Sequence, residues 1–141
     1  MVGSRPEIQG GAAGAEGMGG TNVNDLLKVV ATDAPRTVRL IGELDASNAD
    51  DFLHDLQGRL AEGGDLVLDL SGLTFVDSMG LRGFIRIAAA LESTGKLILD
   101  GPRRPVARTI ALVGLDKLPN IAVVNEALPG AAPDAGAEEG V

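Results

Sequence analysis

Leu66-Val-Leu-Asp-Leu-Ser-Gly-Leu-Thr-Phe-Val-Asp77-Ser78-Met79-Gly80-Leu81 is the stretch that decides the fold. Leu66 to Leu70 is a nearly continuous apolar run, the pattern of a central strand covered on both faces. Ser71-Gly72 reads as a turn, and Leu73, Phe75 and Val76 as a short apolar loop. Ser78 then stands where a helix begins. Leu81, Phe84, Ile85, Ala88 and Leu91 form the expected inward face of that helix, which Gly95 ends.

The same alternation continues outward from this stretch. Upstream, Leu26 to Ala31 reads as a short edge strand. Thr37 to Leu44 sets Val38, Leu40 and Gly42 against Arg39, Ile41 and Glu43, which suits a second strand. Asp45-Ala-Ser47 offers cap residues to a helix whose inward face is Ala49, Phe52, Leu53, Leu56 and Leu60. Asp55 and Arg59 are spaced to pair on it, and Gly63-Gly64 ends it. Downstream, Lys96 to Leu99 reads as a strand, Val106 to Val113 as a helix stopped by Gly114, and Ile121 to Val124 as a last strand. The predicted order is β-β-α-β-α-β-α-β, an α/β domain with a mixed sheet. The first two strands are close enough to pair antiparallel, and the later βαβ units should be parallel with right-handed crossovers.

Both ends of the chain differ from this middle. Residues 1–22 hold seven glycines and only Val2, Ile8 and Met18 as sizeable apolar residues, so they are expected to be disordered. The domain is placed at 23–128. Residues 129–141, rich in Ala, Gly and Pro, read as a disordered acidic tail carrying Asp134, Glu138 and Glu139.

Composition removes several kinds of chemistry. The 141 residues contain no cysteine, which excludes disulfides, thiolate catalysis and cysteine-ligated metals. His54 is the single histidine, and its expected place is on the surface of the first helix. Trp and Tyr are absent, and Phe52, Phe75 and Phe84 are the only aromatics, so base-stacking platforms are not expected. Twelve basic residues stand against twenty acidic ones, a net charge of −8 that repels a phosphate backbone. No nucleic-acid partner is therefore expected. No apolar run is long enough for a membrane span, and no signal peptide is apparent; a soluble cytoplasmic protein is the expectation. Neither GxGxxG nor GxxxxGK[ST] occurs, so no nucleotide cofactor is expected, and no metal.

Two readings of Asp77-Ser78 follow from its place at a helix start. Either residue can cap the helix, satisfying N–H groups that have no partner inside it. Ser78 can also be a phosphoryl acceptor. A phosphate there adds about −1.5 to −2 charges, and a helix N-terminus tolerates an anion, so the surface changes while the fold is kept. Arg82 and Arg86 follow on the same helical stripe. If their strands are parallel, Gly42-Glu43-Leu44-Asp45 ends at the same sheet edge as Ser78 and brings a second carboxylate beside it.

Three stretches together resemble one family: Val38-Arg-Leu-Ile-Gly-Glu-Leu-Asp45, Leu66 through Asp77-Ser78-Met79-Gly80-Leu81, and Val113-Gly-Leu-Asp-Lys117. The chain is similar to STAS domains, and more narrowly to bacterial anti-sigma factor antagonists, from about Leu26 to Leu128. The resemblance implies a STAS-type mixed sheet and a binding protein rather than an enzyme. It implies partner switching: the antagonist binds an anti-sigma factor that is also a serine kinase, which frees a sigma factor. The kinase phosphorylates the serine of the Asp-Ser motif, here Ser78, the complex parts, and a phosphatase resets it. Asp45, Asp77, Ser78, Met79, Gly80, Leu81 and Arg82 are then the expected partner-binding residues. Met79 stands where the family often has a smaller residue. The same fold also serves as a cytosolic subunit of transport or membrane-lipid complexes, which is the alternative role.

Overall fold

The structure is a computed structural model, and it describes residues 20–126. The expectations of disorder for 1–19 and for the tail 129–141 lie outside the described residues.

Six strands form one sheet in chain order: β1 (Gly20–Asn22), β2 (Leu27–Ala31), β3 (Thr37–Leu44), β4 (Leu66–Val76), β5 (Leu97–Asp100) and β6 (Ile121–Val124). β1, β2 and β3 pair antiparallel, while β3, β4, β5 and β6 are parallel. The helices α1 (Ala49–Asp55), α2 (Gln57–Glu62), α3 (Ser78–Leu91) and α4 (Arg104–Val113) connect the parallel strands, and a short 3-10 turn, Leu115–Lys117, follows α4. The mixed α/β architecture expected from the sequence is the one found.

Alternation in the strands builds a single core. Val38 and Leu40 of β3, Leu66, Leu68 and Leu70 of β4, and Leu97 and Leu99 of β5 are fully buried. They meet Phe52, Leu56, Phe84, Ile87, Leu91, Val106 and Ile110 from the helices in one cluster. Phe52 and Phe84 cross edge to face with ring centres 6.3 Å apart, fastening α1 to α3. The other face of the sheet is open. Val67 and Asp69 are only half-buried and Arg39 and Ile41 exposed, so β4 is covered fully on one side rather than on two.

Four local expectations are corrected. Gly20–Asn22, within the stretch expected to be disordered, pairs with β2, so β2 is not the sheet edge. Ser71-Gly72 does not turn the chain: β4 runs on through Val76, and register shifts against β3 absorb the extra residues. The first helix breaks at Leu56 into α1 and α2. Ile85 points outward, 43% exposed, and Ile87 takes the inward place. At 100° per residue Ile87 falls inside the face of Gly80, Leu81, Phe84 and Leu91 that meets the sheet, whereas Ile85 falls beyond Leu81, outside its border.

Candidate functional site

β3 and β4 end together. Leu44 is the partner of Val76, and Asp77 N–H donates to the Leu44 carbonyl at 3.2 Å, carrying the pairing one residue past the strands. The parallel arrangement thus brings Asp45 and Asp77 to one edge, as the sequence predicts. Two glycines allow this closeness. Gly42 has φ +113, and a Cβ there would collide with the Leu26 carbonyl, which accepts from Glu43 N–H. Gly80 is buried in the first turn of α3; a Cβ on it would stand 2.7 Å from Val76 Cγ2 and 2.8 Å from the Leu44 carbonyl oxygen.

Asp77 is the cap residue of α3. Its backbone is extended, and Oδ1 accepts from Gly80 N–H at 2.9 Å. Oδ2 reaches across the strand ends and accepts from Ala46 N–H at 3.3 Å. Between the two named readings of the Asp-Ser pair, capping falls to Asp77, which leaves the Ser78 side chain at the surface. Asp45 is turned the other way: its Oδ1 accepts from Ser47 N–H at 2.9 Å and from the Ser47 hydroxyl at 2.6 Å. Both carboxylates belong to the loops that flank Ser78, and each is bound to backbone.

The other expected partner-binding residues divide by exposure. Met79 and Arg82 are exposed, while Gly80 and Leu81 are buried and shape the site from beneath. Arg86 lies one turn beyond Arg82 and stands 3.6 Å from the Asp50 carboxylate, an exposed pair of little energetic weight. Beside Ser78 runs an open apolar groove of about 270 Å³ between α3 and the end of α4, lined by Leu81, Arg82, Ile85, Val113, Leu115 and Leu118. Ile85, Val113 and Leu118 were not among the expected site residues. Their signal is exposure, which hydrophobic spacing alone conceals.

A larger cleft, about 520 Å³, lies at the far end of β3 between the β2–β3 turn and α2. Its central cation, Arg36, is committed to the chain, donating to the Arg59 carbonyl at 2.8 Å and Glu62 at 2.9 Å. Arg36 thus ties the β2–β3 turn to α2 at that cleft, and the Ser78 edge is the candidate site. Two carboxyls elsewhere have displaced titrations. Burial raises Asp55, with the Arg59 and His54 charges pulling weakly the other way. Burial would also raise Asp69, but hydrogen bonds from Ser71 and the Arg39 guanidinium outweigh it and hold this carboxyl below its ordinary range. Among the described residues no group of carboxylates and histidine could hold a metal ion, and no helix is long and apolar enough to cross a membrane.

The family model described as "Mlab, STAS domain" matches residues 27–124. The chain belongs to the STAS domain family. Its match begins at β2 and ends with β6, so it takes in the whole Ser78 edge. The STAS domain is similar to a solved anti-sigma factor antagonist from Mycobacterium paratuberculosis, with 28% identity over 72% of this chain and 88% of that one and a TM-score of 0.56. It is similar to a candidate antagonist from Thermotoga maritima at 27% identity, covering 64% of this chain and 82% of that one, with a TM-score of 0.55. The fold is shared with the anti-sigma factor antagonist SpoIIAA in its unphosphorylated form, at 20% identity, 70% and 87% coverage and a TM-score of 0.56.

Proposed function

We propose that this STAS domain is an anti-sigma factor antagonist switched by phosphorylation of Ser78. The observation that carries the reading is the placement of Ser78: an exposed hydroxyl on the first residue of α3, immediately after the Asp77 cap and at the lip of an apolar groove. The two solved relatives above 25% identity, described as an antagonist and a candidate antagonist, support the general role. The fold relative SpoIIAA has been solved in a phosphorylated form as well.

The partner is an anti-sigma factor with serine kinase activity, and the place is the cytoplasm, where ATP is available. Unphosphorylated, the STAS domain binds that partner through the Ser78 edge. Asp45 at the end of β3 and Asp77, Met79 and Arg82 at the start of α3 are the contacts assigned to the partner, and the apolar groove supplies area that water leaves on binding. In the switching step Ser78 Oγ forms a bond to the γ-phosphorus of ATP, the β–γ bridge breaks, and ADP leaves with the hydroxyl proton passed to the kinase side. The chain contributes an acceptor and performs no catalysis.

The product fits the fold and disrupts the contact. A phosphate at the start of α3 lies at the positive end of the helix dipole, which favours an anion. In the interface it introduces repulsion and a desolvation penalty. A hundredfold loss of affinity requires about 2.7 kcal/mol, which a phosphate in a close contact can supply. A phosphatase then restores the hydroxyl.

A pull-down with wild type and Ser78→Asp tests the reading. A serine kinase retained by wild type and lost by Ser78→Asp, which adds one phosphate to wild type and none to Ser78→Ala, is the expected result. Unchanged phosphate incorporation in Ser78→Ala refutes the assignment. Retention of a transport ATPase or a membrane protein by both forms, with no kinase, establishes the transport-subunit role in its place.

A further inference from the structure

Among the described residues one polar side chain is fully buried: Asn48, with 1% of its surface exposed. It immediately precedes α1, yet its side chain makes no cap bond to that helix. Its amide is used on the loop before it. Oδ1 accepts from Asp45 N–H at 3.0 Å, and Nδ2 donates to the Glu43 carbonyl at 3.0 Å and to Asn24 Oδ1 at 3.1 Å. Asn24 is itself fixed, since Oδ1 also accepts from Leu26 N–H at 2.9 Å and Leu27 N–H at 3.1 Å, and Nδ2 donates to Ser47 Oγ at 3.0 Å. The two asparagines therefore hold the loop from Glu43 to Ser47 at three points. Ala46, inside that span, is the residue whose N–H meets the Asp77 carboxylate.

We infer that Asn48 is a positioning residue for the acceptor loop, with Asn24 as its anchor. Together they fix the Ala46 N–H, hence the Asp77 carboxylate and the start of the helix that presents Ser78. The inference takes its functional meaning from Ser78 as the acceptor, while the network itself stands on geometry. It explains why an amide occupies position 48: the site needs one acceptor facing Asp45 N–H and one donor group facing two oxygens. An apolar residue would take these partners from the Asp45 N–H and the Glu43 carbonyl, and a carboxylate would set an oxygen against the Glu43 carbonyl and Asn24 Oδ1. Position 24 has a different requirement. Its Oδ1 takes three N–H donors, so an aspartate there keeps the anchor and gives up only the bond to Ser47.

Amide-proton chemical shifts, read by NMR on the full chain, test this without a kinase, because they report native hydrogen-bond geometry and not stability. Asn48→Ala, Asn48→Asp and Asn24→Ala are expected to move the Ala46 and Gly80 amide protons upfield as their bonds to Asp77 lengthen, while Leu68 and Leu99 in the central strands keep their wild-type shifts. Asn24→Asp should keep the wild-type shift at Ala46. A lowered melting temperature with the Ala46 and Gly80 shifts unchanged would show a general loss of stability and overturn the positioning role, as would an unchanged Ala46 shift in Asn24→Ala. If the Asn48 variants do not fold, the Asn24 pair decides alone. Either outcome leaves the phosphate count at Ser78 to be judged separately.

Discussion

Asp77 reaches from the end of β4 to the backbone of Ala46, joining by one side chain two loops that the chain makes far apart. The same carboxylate caps α3 through Gly80 N–H. Replacing it with alanine removes both bonds. Asp77→Ala should lower stability by about 0.5–2 kcal/mol, the usual range for loss of a helix cap. Asp77→Asn, which keeps an acceptor for Gly80, should fall by less. Urea unfolding of the three proteins checks the order.

The glycines around the site should respond in opposite directions from one elsewhere. Gly80→Ala forces a methyl group against Val76 and the Leu44 carbonyl and should destabilise by about 1–3 kcal/mol. Gly42→Ala adds backbone strain to a collision and should be at least as severe. Gly58 lies in α2 with open space around it, so Gly58→Ala should stabilise by about 0.5–1 kcal/mol. Melting curves of the three variants separate steric closeness from mere glycine content.

Asp69 and Asp55 predict opposite pH behaviour. The Asp69 carboxyl is lowered in the folded chain, so its contribution is present above its unfolded pKa and is lost as pH falls through the folded value. Asp69→Ala should therefore lose about 1–2 kcal/mol at neutral pH and progressively less as the pH drops below about 4. Asp55 is raised by burial, so its contribution is present in acid and is lost as pH rises through the folded value. Asp55→Asn should be at least as stable as wild type at neutral pH and should lose that advantage in acid. Denaturant titrations from pH 3 to 7 test both signs.

The switch and the fold should be separable at Ser78. Ser78→Asp should change stability by less than about 0.5 kcal/mol, because an exposed carboxylate at a helix start is tolerated. On the proposed function, its affinity for a kinase partner should fall by about a hundredfold. Ile85→Asp, at an exposed position in the groove, should likewise weaken binding and leave the melting temperature near wild type. Calorimetric titration alongside thermal melts reports each quantity.

The sequence shows clearly what depends on near neighbours. Alternation from Val38 to Leu44 and the leucines at 66, 68 and 70 define strands because burial repeats every second residue. The shared edge of Asp45 and Asp77 follows from two parallel strands of known direction. Contacts between distant segments leave a weaker trace. Ser71-Gly72 has turn composition, yet pairing with β3 carries it straight on. Asn48 leaves no mark in the apolar spacing, and its part shows only when Asn24 is seen opposite it. Ile85 is spaced to follow Leu81 on one stripe, and the position of the sheet leaves it outside.

The bonds that join Asn24, Asn48, Ala46 and Asp77 have a consequence for timing. Three segments from well separated parts of the chain must be in register before Ser78 stands in its place. A nascent chain, or a short peptide copied from residues 72–84, contains the serine without its surroundings. On the proposed function, a kinase that reads this edge counts finished molecules, and its signal is proportional to the protein that has already folded.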